Sequence, residues 1–138
     1  MKPIEKKIAI NASVSEVWKA ITDPSIIEQW MLMPNNFKPE LDKDFIFNAE
    51  MNGNHFDIKC KVLELEKNKK LVYSWGAPFF EGITTVSIQL KEKENENQTE
   101  VILVHSGFAE NQKDVQENHS MGWNERFVAK LKEVAEQV

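Results

Sequence analysis

Residues 115–138 read VQENHSMGWNERFVAKLKEVAEQV, and this stretch decides the fold. Its large apolar side chains recur at spacings of three and four, which places them on one stripe of a helix. The stripe comprises Trp123, Phe127, Leu131, Val134 and Val138. Charged side chains such as Lys130 and Glu133 fall on or beside the opposite face. The pattern predicts one long amphipathic helix, from Val115 to Val138, whose aromatic stripe must be buried against another element.

A start signal precedes this helix. Asp114 occupies the position of an N-cap, and Glu117, three residues later, completes a capping box. No other long helix is predicted, because the rest of the chain reads mostly as strands. The apolar stripe is therefore expected to pack against a β-sheet.

Composition limits the kind of protein this can be. The chain has 138 residues, 41% hydrophobic and 28% charged, and we expect one globular domain spanning residues 1–138. A formal net charge of −5 argues against nucleic acid or an anionic membrane as the main partner, because both bind basic surfaces. No segment is apolar enough to span a bilayer, and the chain starts without a signal-peptide pattern. We therefore expect a cytoplasmic protein without membrane insertion.

Two short helices are predicted after a first strand, Ile4 to Asn11. Ser13 and Glu16 form a capping box at the start of the first helix. Asp23-Pro24 begins the second helix, with proline at the first helical position, where its missing N–H costs nothing. This second helix is expected to end before Pro34.

The apolar period changes to two after Phe37 and predicts five further strands. Asn52-Gly53 marks a tight hairpin turn between the first two of them, because both residues tolerate positive φ. The predicted order is β-α-α-β-β-β-β-β-α, with short connections that favour an antiparallel meander. The expected fold class is α+β: a curved six-stranded sheet wrapped around the long C-terminal helix.

Several short strings, spread over nearly the whole chain, resemble one superfamily. They are Ile10-Asn11-Ala12-Ser13, Val17-Trp18, Asp23-Pro24, Ile27 to Trp30, Leu71-Val72-Tyr73-Ser74-Trp75, Thr84-Thr85-Val86, His105-Ser106-Gly107-Phe108, His119 and Gly122-Trp123. Together with the order of elements, they resemble the helix-grip fold of the START and Bet v 1 (SRPBCC) superfamily. Within it, the chain is most similar to homologues of the activators of heat-shock protein 90 ATPase, of the C-terminal-domain type.

This resemblance implies a mainly apolar cavity between the sheet and the long helix. Members of the superfamily bind lipids, sterols or aromatic polyketide- and flavonoid-like molecules there, and a minority are enzymes. The leading hypothesis is therefore the binding of a small hydrophobic ligand, with no cofactor. The second is an interaction with a chaperone in the stress response. At this length we expect no room for the extra N-terminal domain of the eukaryotic chaperone activators, which makes the chain similar to stand-alone bacterial members.

Aromatic and apolar residues are the candidate cavity lining. The alternation of the strands and the stripe of the helix point most of them inward, and a few polar groups among them would orient a ligand. The candidates are Trp30, Met33, Phe45, Phe47, Phe56, Tyr73, Trp75, Thr84, Val86, Leu103, His105, His119, Trp123 and Phe127. The alternative is that these side chains meet and fill the space. The pattern leaves both possibilities open.

The two inward histidines allow two interpretations. His105 and His119 are expected near one another at one end of the cavity, where either could titrate near neutral pH and serve an acid–base enzyme, the third hypothesis. The other interpretation makes each a hydrogen-bonded wall residue. No nucleophile motif, dinucleotide fingerprint or set of converging metal ligands is present, so no catalytic or metal-binding residue is assigned.

The sequence leads to two further predictions, one for a glycine in the C-terminal helix and one for an aromatic loop. Gly122 lies in the middle of the predicted helix, which costs about 1 kcal/mol relative to alanine and implies a packing reason, either a close approach to the sheet or room for a ligand. The loop with Phe79-Phe80 is expected to be exposed and to serve as a dimer contact or as a lid on the cavity. We therefore expect a monomer or a weak homodimer.

Overall fold

The structure is a computed structural model that describes residues 2–79, 81–95 and 97–137. The strands are β1 (Ile4–Ile10), β2 (Asp44–Met51), β3 (Asn54–Glu66), β4 (Lys70–Trp75), β5 (Thr84–Glu92) and β6 (Thr99–Ser106). The helices are α1 (Val14–Thr22), α2 (Pro24–Met31), α3 (Lys113–Trp123) and α4 (Lys132–Ala135), with a π-helical segment (Asn124–Leu131) between the last two. Residues 113–135 thus form one continuous C-terminal helix, and the predicted fold class and order of elements are confirmed.

The six strands form a single antiparallel sheet in the order β1-β6-β5-β4-β3-β2. The meander from β2 to β6 follows the chain, and β1 returns to pair with β6. Side chains alternate between buried and more exposed along β2, β5 and β6, as expected for a sheet with one covered face. The C-terminal helix packs on that covered face, as in the helix-grip fold.

The predicted start signals of α1 and α2 are confirmed. Ser13 and Glu16 form a reciprocal capping box, and the Asp23 side chain accepts a hydrogen bond from the backbone N–H of Ser25. The hairpin turn also takes its predicted form, with φ of 53° at Asn52 and 82° at Gly53. Left-handed values at both central residues match the right-handed twist of the flanking strands.

The predicted start of the C-terminal helix was wrong. A 3-10 turn, Glu110–Gln112, leads into the helix at Lys113, so Asp114 lies inside the first turn instead of capping it. The carboxamide of Gln112 fixes this corner, because it accepts a hydrogen bond from the Ala109 N–H at 2.9 Å and donates one to the Glu81 carbonyl at 3.1 Å. This contact to a distant loop is invisible in the local pattern.

The buried stripe of the helix also differs in detail from the prediction. The buried side chains are Trp123, Phe127, Leu131 and Ala135, each four residues after the last, whereas Val134 is only partly buried. An α-helix has about 3.6 residues per turn, so a strict spacing of four would rotate away from the sheet. The wider π-helical turn between residues 124 and 131 keeps the stripe facing the sheet. Val138 lies outside the described residues.

The far end of the C-terminal helix is fastened to the first strand. The Glu136 carboxylate accepts a hydrogen bond from the Asn11 N–H at 2.8 Å, and the Lys132 ammonium donates one to the Ala9 carbonyl at 3.2 Å. The helix is therefore fixed to the first strand at this end. None of the helices among the described residues has the length and apolarity needed to cross a bilayer.

Candidate ligand-binding site

A cavity of about 690 Å³ lies between the β2–β3 hairpin and the C-terminal helix. Four parts of the chain supply its walls: the end of α2, the hairpin, the end of β4 with the loop after it, and the helix from Val115 to Arg126. The aromatic and apolar side chains elsewhere between sheet and helix pack into a solid core. The space between sheet and helix is thus filled at one end and open at the other.

The end of α2 contributes two methionines, and an unusual backbone conformation places both of them. Leu32, which ends the helix, has a left-handed conformation with φ of 62° and ψ of 30°, and its side chain is 47% exposed. Met31 and Met33 on either side of it are both buried and line the cavity. A left-handed residue commonly ends a helix, and here its two neighbours are the ones that point inward while Leu32 itself points outward.

The hairpin and the loop after β4 form an apolar wall. Ala49, Phe56 and Ile58 line the cavity from the strands. Phe79, half exposed on the loop, packs edge-on against Phe56 with ring centroids 5.3 Å apart. Phe79 therefore lines one side of the cavity; Phe80 lies outside the described residues.

The wall on the helix side contains a histidine in a defined tautomer. The Trp75 indole N–H donates a hydrogen bond to His119 Nε2 at 3.1 Å. Nε2 is therefore the acceptor nitrogen, and Nδ1 carries the proton that it donates to the Val115 carbonyl at 2.8 Å. The imidazole is held in its neutral form with both nitrogens in use.

A second histidine lies behind the first, and its hydrogen bonds fix its tautomer in the same way. The Trp123 indole N–H donates to His105 Nδ1 at 3.0 Å. The proton on Nε2 is then donated to Thr84 Oγ1 at 2.7 Å, and that hydroxyl donates to the Trp75 carbonyl at 3.0 Å. The two imidazole rings meet edge to face, with centroids 5.3 Å apart. This pair was predicted to be close.

Burial keeps both histidines neutral. It lowers the pKa of His105 to about 3, and the neighbouring His119 acts in the same direction. Burial also lowers the pKa of His119; the Val115 carbonyl opposes this change, whereas the charge of Arg126 adds to it. A proton added to either ring would turn its acceptor nitrogen into an N–H donor, and this donor would face the N–H donor of an indole. The geometry therefore suits hydrogen-bonded wall residues better than proton-transferring groups.

The structure divides the candidate lining residues into two groups. Five of them line the cavity: Met33, Phe56, Trp75, His119 and Trp123. The other nine pack in the adjoining core: Trp30, Phe45, Phe47, Tyr73, Thr84, Val86, Leu103, His105 and Phe127. Alternation along a strand tells which side chains point inward, and it does not tell where along the strand the packing ends.

Sequence reasoning missed several residues on the cavity wall. They are Ala49, Glu50, Met51, Asn52, Asn54, His55, Ile58, Pro78, Val115, Asn118 and Arg126. Arg126 is the only arginine in the chain and follows Trp123 of the apolar stripe by three residues. A single arginine beside the apolar stripe, four residues after Gly122, was the signal in the sequence that could have marked Arg126 as a cavity residue. Among the described residues, no group of three or more His, Cys, Asp or Glu side chains could hold a metal ion.

Solved structures of similar fold come from several sources. A crystal structure of a Mesorhizobium loti protein has 29% sequence identity and a TM-score of 0.84, covering 99% of this chain and 98% of the other. A solution structure of a Bacillus halodurans protein has 26% identity and a TM-score of 0.78, covering 98% and 97%. A protein of the dynemicin biosynthetic locus, at 21% identity and a TM-score of 0.76, shares the fold; the match covers 96% of this chain and 46% of that one.

The curated proteins contain no match to the chain. A family match covers residues 11–136, which include both short helices, strands β2 to β6 and the C-terminal helix with its cavity wall. This is nearly the whole chain, and it agrees with the resemblance found in the sequence. The chain therefore belongs to the family described as Activator of Hsp90 ATPase homolog 1-like protein.

Proposed function

We propose that this protein binds a small, mainly apolar molecule in the cavity between the β2–β3 hairpin and the C-terminal helix. The observation that carries the proposal is the cavity itself: about 690 Å³ of space beside an otherwise packed core. Ligand sites in proteins are commonly apolar concavities of about 300–1,000 Å³ with a few polar groups. Membership of a helix-grip family supports the same role.

The walls favour two chemical classes of ligand. Trp75, Trp123, Phe56 and Phe79 offer ring faces and edges, which suit a flat aromatic molecule such as a polyketide or flavonoid. Met31 and Met33 are flexible and polarisable, which suits an alkyl chain of a lipid-like molecule. A panel that contains both classes distinguishes these alternatives.

The four tryptophans make a direct binding assay possible. Trp75 and Trp123 line the cavity, whereas Trp18 and Trp30 are buried elsewhere. In a protein labelled at the indole nitrogen, a cavity ligand should shift the resonances of Trp75 and Trp123 and leave those of Trp18 and Trp30 in place. The proposal fails if no lipid or flavonoid in the panel shifts the first pair below millimolar concentration.

The family description favours a second candidate function, an interaction with heat-shock protein 90. The test is the ATPase rate of the chaperone with and without this protein, together with a direct binding measurement. Stimulation that is retained when the cavity is filled by mutation would separate this role from ligand binding. An absence of binding at high micromolar concentration would remove this candidate.

A further inference from the structure

The only arginine of the chain lies on the wall of the cavity. Arg126 belongs to the π-helical segment, and it is partly buried. Its Nε is fully buried and has no hydrogen-bond acceptor among the described residues. A buried donor without an acceptor destabilises the folded protein, and it does so more strongly when the group is charged. A guanidinium whose Nε finds no acceptor in the described part of the chain is suited to bind an acceptor group of a ligand.

No carboxylate in the described part of the chain forms an ion pair with this guanidinium. The ion pairs among residues 2–79, 81–95 and 97–137 involve lysines or His55, and none includes Arg126. The acidic residue on the cavity wall, Glu50, is 61% exposed, and its carboxylate lies 3.9 Å from the His55 ring. Glu50 therefore belongs to the solvated rim, whereas Arg126 is partly buried on the cavity wall.

The position of the guanidinium depends on a glycine. A Cβ placed on Gly122 would lie 2.9 Å from Arg126 Nη1, which is closer than real contacts of this type. Gly122 precedes Arg126 by four residues and also lines the cavity. The prediction for this glycine was a close approach to the sheet or room for a ligand; the neighbour found instead is the guanidinium, for which the bare backbone makes room.

We propose that the natural ligand is an amphipathic anion: an apolar body with a single carboxylate, sulfonate or phosphate group that accepts hydrogen bonds from Arg126. This inference rests on the proposed function and narrows it. The methionines and aromatic rings enclose the apolar body, and the guanidinium binds the acid group. Charge-assisted hydrogen bonds of this kind, formed away from bulk water, are stronger than neutral ones and can be bidentate.

A pair of fluorescent probes tests the two proposals separately. Anilinonaphthalene sulfonate carries two aromatic systems and a sulfonate, and phenylnaphthylamine has the same rings without the acid. We expect the wild-type protein to bind the sulfonate at least about tenfold more tightly than the neutral probe. If neither probe binds below millimolar concentration, the proposed function fails. If both bind with equal affinity, the cavity is confirmed and the anion site is overturned.

Variants assign the difference to one side chain. Arg126→Gln should weaken binding of the sulfonate about tenfold and leave binding of the neutral probe unchanged. Lys130→Gln removes the same charge from the same helix at a residue that does not line the cavity, and it should change neither affinity. If both variants lose the same affinity for the sulfonate, the effect comes from the net charge of the protein, and the proposal is overturned.

A third variant keeps the test decisive if Arg126→Gln does not fold. Gly122→Ala retains the arginine and pushes only the mobile end of its side chain. Alanine favours a helix more than glycine does, so the variant should keep the fold, and circular dichroism checks this. We expect weaker sulfonate binding with unchanged binding of the neutral probe. Unchanged affinity for both probes would show that the guanidinium position is irrelevant to binding.

Discussion

The indole N–H of Trp75 donates to His119 Nε2 at 3.1 Å and thereby joins strand β4 to the C-terminal helix across the inner end of the cavity. A parallel bond joins Trp123 of the helix to His105 of β6 at 3.0 Å. Each bond uses an imidazole nitrogen that must stay unprotonated. Two indole–imidazole pairs thus hold the helix on the sheet, and both depend on neutral histidines.

Replacing His119 should destabilise the protein according to what the new side chain can accept. His119→Phe leaves the Trp75 N–H without an acceptor in a partly buried site, which costs about 1–3 kcal/mol of unfolding free energy. His119→Gln offers a carbonyl oxygen and should lose less. Urea unfolding of both variants measures the difference. Equal losses would show that ring packing, and not the hydrogen bond, matters at this position.

Stability should fall as the pH drops from 7 to 5. The pKa of His105 is about 3 in the folded protein and about 6.5 in the unfolded chain, so the unfolded chain takes up the proton first. The stability from this group is complete above pH 6.5 and is lost as the pH falls towards 3. At pH 5 the loss from His105 is about 2 kcal/mol, and His119 adds to it because its pKa is also lowered.

The carboxyl groups with lowered pKa, Glu16, Asp23 and Glu136, have ordinary values of 4.5 or below and contribute little in this window. Denaturant unfolding at pH 7 and pH 5 measures the loss, and a titration of the imidazole resonances assigns it. A free energy of unfolding that stays constant between these two pH values would contradict the neutral, buried state of His105.

Filling the cavity should abolish ligand binding and preserve the fold. Ala49→Phe adds a ring on the β2 wall, opposite the helix, and should reduce the affinity for any cavity ligand by at least about tenfold. Ala129→Phe adds the same ring at an exposed position of the helix and should bind normally. Thermal unfolding of both variants checks the fold. Normal ligand binding by Ala49→Phe would place the ligand elsewhere.

Relieving the backbone at Leu32 should stabilise the protein. A left-handed conformation costs an ordinary residue about 1–2 kcal/mol, whereas asparagine tolerates it better. Leu32→Asn should therefore raise the free energy of unfolding by about 1 kcal/mol, since the leucine side chain is half exposed. Leu32→Ala removes the same apolar surface and keeps the strain, so it serves as the control. If both substitutions destabilise the protein equally, the leucine side chain outweighs the strain.

The sequence predicts the sheet and the start of both short helices because those features are encoded locally. Ser13 with Glu16 and Asn52 with Gly53 make contacts within a few residues, and alternation fixes which side of a strand is covered. The start of the C-terminal helix follows instead from Gln112 bonding to Glu81, a contact across 31 residues. Such a contact leaves no local pattern.

The extent of the cavity also depends on contacts between residues distant in sequence, so the local pattern does not predict it. Phe47 and Phe56 both belong to the covered side of the sheet, yet Phe47 packs in the core and Phe56 lines the open space. The difference depends on how the helix and the loop after β4 lie over each strand. The position of Arg126 on the cavity wall depends on the π-helical turn. That turn could not be predicted, because a pattern of apolar residues cannot separate spacings of 3.6 and four over so few turns.

The wide turn in the C-terminal helix has a consequence for comparing relatives. Each π-type hydrogen bond encloses one residue more than an α-helical bond does, so residues 124–131 carry a surplus residue for the distance they span. The chain on both sides is fixed, by Trp123 on the cavity wall and by Glu136 on the first strand. A relative with a regular α-helix between the same two points would align with a one-residue gap here, and residues beyond that gap would correspond only after a shift of one.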